Sequence, residues 1–274
     1  MFAPGAKGIS GVRPPAAAGL YYPLDADGLR TALRTLLAAS RAQAGRTPKA
    51  LVVPHSGYAY SGEVAAAGYH TLDRPGVDGT IRHVVLLGPS HRLPIHGMAM
   101  PSYESFATPF GVVPIDDAAR TRLRELSLAG VSNAPHAFEH SLEVQLPFLQ
   151  ALLTGFDVLP IAVGIAPPAQ VDRALETVWG GPDTLIVVSS DLSHHHTQHE
   201  AQVLDEQTAR LILARSSDIS DTQACGAGAL NGLMEAARHK RLEVQLLDRR
   251  TSGDTTGDDS RVVGYGSFAL YEPE

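Results

Sequence analysis

Along this chain, short unbroken runs of Val, Ile and Leu alternate with longer stretches in which apolar residues recur at helical spacing. The runs at residues 50–53, 83–87, 157–163 and 185–188 are too short for free helices and read as buried strands. Asp25-Ala26-Asp27 opens a helix whose Leu29, Leu33, Leu36 and Leu37 share one face. Further helices are predicted at 62–70, 118–128, 142–153, 170–178, 200–214 and 226–237. Pro147 must kink the third of these or sit near its start. Two strands, 242–247 and 262–271, close the chain around a polar loop at 249–260. Residues 1–24 and 92–114, rich in Gly, Ala and Pro, read as surface coil and as short excursions over a site. This alternation predicts an α/β fold, an α/β/α sandwich around a central sheet. With no repeat and no linker, residues 1–274 are expected to form a single domain.

Composition narrows the partners. The net charge is −7 and no basic cluster appears, which argues against nucleic acid. No apolar stretch approaches the roughly 18 residues of a membrane span, and the N-terminus lacks a signal-peptide core. A lone cysteine excludes an internal disulfide framework and fits a reducing compartment, so the expected location is cytoplasmic.

Three of the strand runs stop at polar, histidine-bearing turns: Val53-Pro54-His55, Gly88-Pro89-Ser90-His91, and Ser189-Ser190-Asp191-Leu192-Ser193-His194. Ligands of open α/β sheets bind just beyond the carboxyl ends of the strands. Three such strands delivering imidazoles to one edge imply a metal or acid–base centre. His194, His195 and His196 cannot all face one point. His195 or His196, together with His199, reads as solvated, while Asp191 is placed to hydrogen-bond His194 and set its tautomer. Cys225 precedes a small-residue helix. Alone it reads as a buried apolar residue; beside several histidines it reads as a thiolate ligand or nucleophile. His136 and His140 lie four apart, yet the glutamate of a His-Glu-x-x-His motif is missing. Glu139, His140 and Glu143 therefore read as supporting residues. Nucleotide-binding glycine loops and the G-x-S-x-G elbow are absent.

Taken together, Gly11-Val12-Arg13-Pro14-Pro15, Ala18-Gly19-Leu20-Tyr21-Tyr22-Pro23, VVPHSGYAYSG, LLGPSHR, EHSLEVQLPFLQ, VVSSDLSHH, ACGAGAL and SRVVGYGSFALYE resemble the Memo family, in order over nearly the whole chain. The resemblance implies a fold like that of the class III extradiol dioxygenases, with a central mixed sheet and a site at its edge. By the same resemblance His55, His91 and Cys225 would bind one metal ion, Fe(II) or copper, with zinc an alternative. His194 would do acid–base work with Asp191 beside it, and His140 would lie in the pocket. Tyr58, Arg92 and the 249–260 loop would contact substrate. Where the dioxygenases have glutamate, this family has cysteine. His₂Cys suits zinc or copper as readily as iron, and a thiolate beside Fe(II) and oxygen is liable to oxidise. Ring cleavage therefore does not transfer on fold alone.

The resemblance also implies redox and iron or copper handling. Prokaryotic relatives accompany radical-SAM and AMMECR-like proteins (the AmmeMemoRadiSam system), although one cysteine cannot build a radical-SAM cluster here. The expectation is metal-dependent, oxygenase-like redox chemistry on a small molecule. The alternatives are a non-catalytic iron- or copper-binding or peptide-recognition module, and a zinc hydrolase.

Overall fold

The computed structural model describes residues 11–40, 45–74 and 77–273. Within them the strands are β1 (Val12–Arg13), β2 (Ala50–Val53), β3 (His83–Pro89), β4 (Met98–Met100), β5 (Ser105–Thr108) and β6 (Gly111–Pro114). After these come β7 (Gly130–Val131), β8 (Asp157–Val163), β9 (Thr184–Ser189), β10 (His194–His196), β11 (Glu243–Thr251) and β12 (Val262–Tyr271). The helices are α1 (Ala26–Ala39), α2 (Tyr58–Tyr69), α3 (Asp117–Glu125), α4 (Leu146–Leu152), α5 (Pro168–Thr177), α6 (Gln198–Leu213), α7 (Ala227–His239) and the short α8 (Gly253–Thr256).

The main sheet runs β10-β12-β2-β9-β3-β8-β4-β7, with β11 also on β12. Its centre, β2, β9, β3 and β8, is parallel, while β12 and β4 flank that centre antiparallel, so the sheet is mixed. Alternate residues of the parallel strands serve opposite faces. Val52, Val85, Leu87, Ile161, Ile186 and Val188 pack with residues of α3, α5, α6 and α7. Leu51, Val53, Val84, Leu86, Leu185 and Val187 pack with residues of α1, α2 and α4. Helices on both faces make the expected sandwich, and the four parallel strands deliver their carboxyl ends to one edge.

Local chemistry sets the helix ends. Asp25 caps α1 by accepting from the Gly28 N–H at 2.7 Å. Thr197 and Glu200 form a reciprocal capping box that starts α6. The helix expected at 142–153 is shorter: a 3₁₀ turn at Glu143–Gln145 leads into α4, and Pro147 falls in its first turn, where no donor is needed.

Two expectations are corrected in part. Residues 92–114 are more regular than short excursions: β4 joins the main sheet and β5 and β6 form a separate three-stranded sheet with β1, while Pro94 and Ile95 line a cavity together with Cys225. The described part of the 1–24 segment is largely irregular, with Leu20 and Leu24 exposed, but it does not merely lie on the surface, since Arg13, Ala17 and Tyr22 are buried; residues 1–10 lie outside the described residues. The cause is a buried ion pair. Arg13 Nη1 donates to Glu143 Oε2 at 2.5 Å, its Nε to the His136 carbonyl, and its Nη2 to the Glu139 carbonyl. Glu143 accepts in addition from the Ala16 and Ala17 N–H groups and from the Tyr22 hydroxyl. His136 and His140, four apart, lie outside any helix. His136 lies in a turn, buried, with Nε2 3.0 Å from the Ala99 carbonyl.

Removing one partner of such a pair leaves the other charge buried and unmatched. Arg13→Met is expected to lower unfolding stability by about 3–5 kcal/mol in urea melts. His136 supplies a pH dependence. Burial, opposed by its bond to Ala99 and reinforced by Arg13, lowers its pKa to about 4. Its stabilising contribution is full above the ordinary 6.5 and is lost as pH falls towards 4, because the unfolded chain then takes up a proton that the folded chain refuses. Urea melts from pH 7 to 4.5 should show a wild-type slope steeper than that of His136→Asn by up to about 1.4 kcal/mol per pH unit.

Candidate metal centre

Beyond the carboxyl ends of β2 and β3, three imidazoles converge. One ligand atom each of His55, His91 and His140 lie within 4.8 Å of one another. The His55 ring is 5.1 Å from that of His91 and 5.4 Å from that of His140, both edge-on, and His91 stacks on His140 at 4.9 Å. Cys225 borders this trio, with Sγ 3.2 Å from His55 Nε2.

Hydrogen bonding decides which nitrogens point inward. Ser189 Oγ donates its proton to the Ser141 carbonyl at 2.7 Å and accepts from Gln145 Nε2 at 2.9 Å. A hydroxyl has one proton to give, so His55 Nδ1, 2.9 Å from the same oxygen, must be the donor. His55 therefore presents a bare Nε2 towards Cys225. His91 Nδ1 meets Glu139 Oε1 at 2.9 Å, which leaves its Nε2 able to coordinate. His140 Nδ1 sits 3.3 Å from the same oxygen, but it is buried without a hydrogen-bond partner among the described residues.

Glu139 is the organiser of this wall. It also accepts from the backbone N–H groups of His91, His140 and Ser141. Burial pushes its carboxyl up, but the His91 bond and charge, the Ser141 N–H and His140 outweigh that and hold the pKa at about 2. Burial, with the charge of its neighbour His55, lowers His140 to about 4, and burial likewise lowers His55. Both are therefore neutral near pH 7, the form that binds a metal. Burial, reinforced by Asp191, pushes the Cys225 thiol up. The thiolate expected from a helix start thus does not form unaided; a divalent ion beside it would drive the proton off.

Asp191 is spent differently from expectation. Its Oδ1 accepts the His55 N–H at 2.8 Å and its Oδ2 the Ser56 hydroxyl at 2.6 Å, locking the exits of β2 and β9 together. His194 takes its orientation from the Leu192 carbonyl instead, with Nδ1 at 2.9 Å, which leaves Nε2 outside that bond. The His-rich turn is itself strand β10, paired to β12. His195 adopts a left-handed φ of 66° and is exposed, as is His199. Two glycines permit the close approach of the walls. A Cβ on Gly88 would meet Leu142 Cδ2 at 2.9 Å, and one on Gly226 would meet Ser190 Cβ at 2.6 Å.

Tyr58 does not contact the pocket as expected. It is buried in the core, donating to the Val144 carbonyl and packed on Tyr22 and Phe148. Arg92 is exposed beside Tyr21, whose ionisation it eases against burial. In the 249–260 loop, Arg249 and Arg250 are engaged by Glu206, Glu63 and Asp248. Tyr21 was missed from the residues alone: its ring stacks on His140 at 4.2 Å. Ser189 and Gln145 were missed as well, and no local signal marks either.

Residues 13–269 match the Memo-like protein family. The chain belongs to the Memo-like family. A MEMO1 family protein of Aquifex aeolicus is 36% identical, over 93% of this chain and 97% of its own length. One from Methanothermobacter thermautotrophicus is 33% identical, over 94% of this chain and 100% of its own. An uncharacterised Escherichia coli protein of known structure shares the fold alone, with a TM-score of 0.52 at 13% identity over 81% of this chain and 99% of its own. In this Memo-like chain no helix among the described residues is long and apolar enough to cross a membrane.

The Ser189 network carries a direct test. Nitrogen-15 NMR of the metal-free protein at pH 7 should show His55 as the Nδ1–H tautomer, and Ser189→Ala should bring in the Nε2–H form. An Nε2–H signal in the wild type contradicts the assignment.

Proposed function

We propose that this Memo-like chain is a metal-dependent redox protein acting on a small substrate at the carboxyl edge of its sheet. The observation that carries this reading is the convergence of His55, His91 and His140 with the Cys225 thiol bordering them. The donor set fits an iron, copper or zinc ion: neutral imidazoles, a thiol, and a buried His140 Nδ1 with no hydrogen-bond partner. His55, His91 and Cys225 would hold the ion, with His140 beside them. A bound iron or copper ion would supply electron transfer to substrate or oxygen, whereas zinc would supply an activated water.

The chain's own groups do the rest. Glu139 and Ser189 fix the two histidine rings. His194 Nε2 gives or takes the proton, its ring held by Leu192 and near enough to His55 for their charges to oppose. Tyr21, stacked on His140 and near Arg92, walls the mouth, where the pair would orient an anionic or polar group of the substrate.

A second reading, a binding module without turnover, is favoured by Leu20 and Phe138. They are 81% and 76% exposed and adjoin Tyr21 and Glu139 in the chain.

Metal analysis of protein purified without oxygen is expected to find one equivalent of iron or copper, lost in His55→Ala and in Cys225→Ser. If neither substitution changes metal content, the ligand assignment is wrong, and zinc in the wild type favours hydrolysis. Oxygen consumption by the metal-loaded protein should fall about 10²–10⁴-fold in His194→Ala. Unchanged turnover there removes the acid–base role, and no consumption by the wild type favours the binding module.

A further inference from the structure

Away from the sheet edge, α5 and α7 pack so closely that a Cβ on Gly232 would meet Val171 Cβ at 2.3 Å. Against this rigid contact sit Asp172 on α5 and Glu235 and His239 on α7, with one ligand atom of each within 4.8 Å of the others. Glu235 and His239 are four apart and so share a helix face. His239 Nδ1 lies 3.1 Å from Asp172 Oδ2. Asp172 is only 5% exposed, and its Oδ1 is buried with no hydrogen-bond partner among the described residues. A buried carboxylate oxygen left without a donor is costly unless something positive meets it. The surrounding charge is lopsided. Glu176, one turn along α5, and Glu235 add negative charge, and Arg238 reaches Glu235 only at 3.8 Å. Lys240, the next cation in the chain, lies over the Trp179 ring. The cluster also sits at the last turn of α7, where helix carbonyls favour a cation.

We infer that Asp172, Glu235 and His239 form a second metal site, for a zinc-class divalent cation, that clamps α5 to α7. One imidazole and two carboxylates suit zinc or a late first-row neighbour better than calcium or magnesium. His239 is half exposed, so water can complete the coordination. The site is separate from the histidine–cysteine centre: Cys225 lies ahead of the first turn of α7, and His239 ends the helix. Its role is structural, fixing the helix that follows Cys225.

The test is a titration of the metal-stripped full chain with zinc chloride, followed by calorimetry and thermal melting. His239→Ala and Asp172→Asn should each bind one equivalent fewer than the wild type and lose part of the zinc-induced rise in melting temperature. His239→Gln, the milder change, guards against loss of the fold, checked by circular dichroism without metal. Cobalt(II) separates the two sites. Cys225→Ser should keep the His239-dependent equivalent, with visible bands but no sulfur-to-metal charge transfer. If all three α5–α7 variants bind as many zinc equivalents as the wild type, with unchanged affinity, the second site does not exist.

Discussion

The buried pair between Arg13 and Glu143 is the constraint on which the site's geometry depends. Two charges leave water for the interior here, which is unfavourable unless every lone pair and proton is met. They are met: the guanidinium serves Glu143 and the carbonyls of His136 and Glu139, and the carboxylate gathers two backbone N–H groups and the Tyr22 hydroxyl. The pair therefore binds the N-terminal segment to the 136–145 segment at several points at once. Glu139 and His140 lie on the second segment and Tyr21 on the first, so one interaction sets both the organising carboxylate and the ring stacked on His140.

From that anchor the pocket's electrostatics follow. Glu139 is ionised and accepts all its bonds from one wall, while burial keeps His55 and His140 without charge. Each ring that has a hydrogen-bond partner is held through Nδ1, by Ser189, Glu139 or Leu192, so the Nε2 positions remain available. Lone pairs gathered in a small volume repel one another unless a proton or a cation lies between them. In the chain alone, the Cys225 thiol can supply one such proton to His55.

How far the sequence could be read depended on the range of the interaction. Unbroken Val/Ile/Leu runs gave away β2, β3, β8 and β9, because strands buried on both faces need apolar residues at every position. The Leu29/Leu33 spacing marked α1, since one helix face suffices there. The placement of His55 and His91 at strand exits was legible for the same reason. Arg13 was not: a charged residue in a Gly/Pro-rich stretch looks solvated until its partner, 130 residues away, is known. Tyr58 precedes the helix predicted at 62–70 and was expected to contact substrate, yet α2 begins with it and its ring is buried in the core. Asp191 seemed the natural partner of His194 by proximity, but the two strand exits it bridges come from distant parts of the chain.

The sequence by itself determined the layered α/β architecture, the family, and the residue types brought to the sheet edge. Those rest on local periodicity and on motifs that stand in order along one chain. Tertiary structure alone decided which nitrogen each imidazole presents, which carboxylate orients which ring, and that three histidines with a cysteine beside them meet at one point. These are facts about hydrogen bonds between segments tens to well over a hundred residues apart. A hydroxyl with one proton, such as that of Ser189, assigns a tautomer only once all its neighbours are in place.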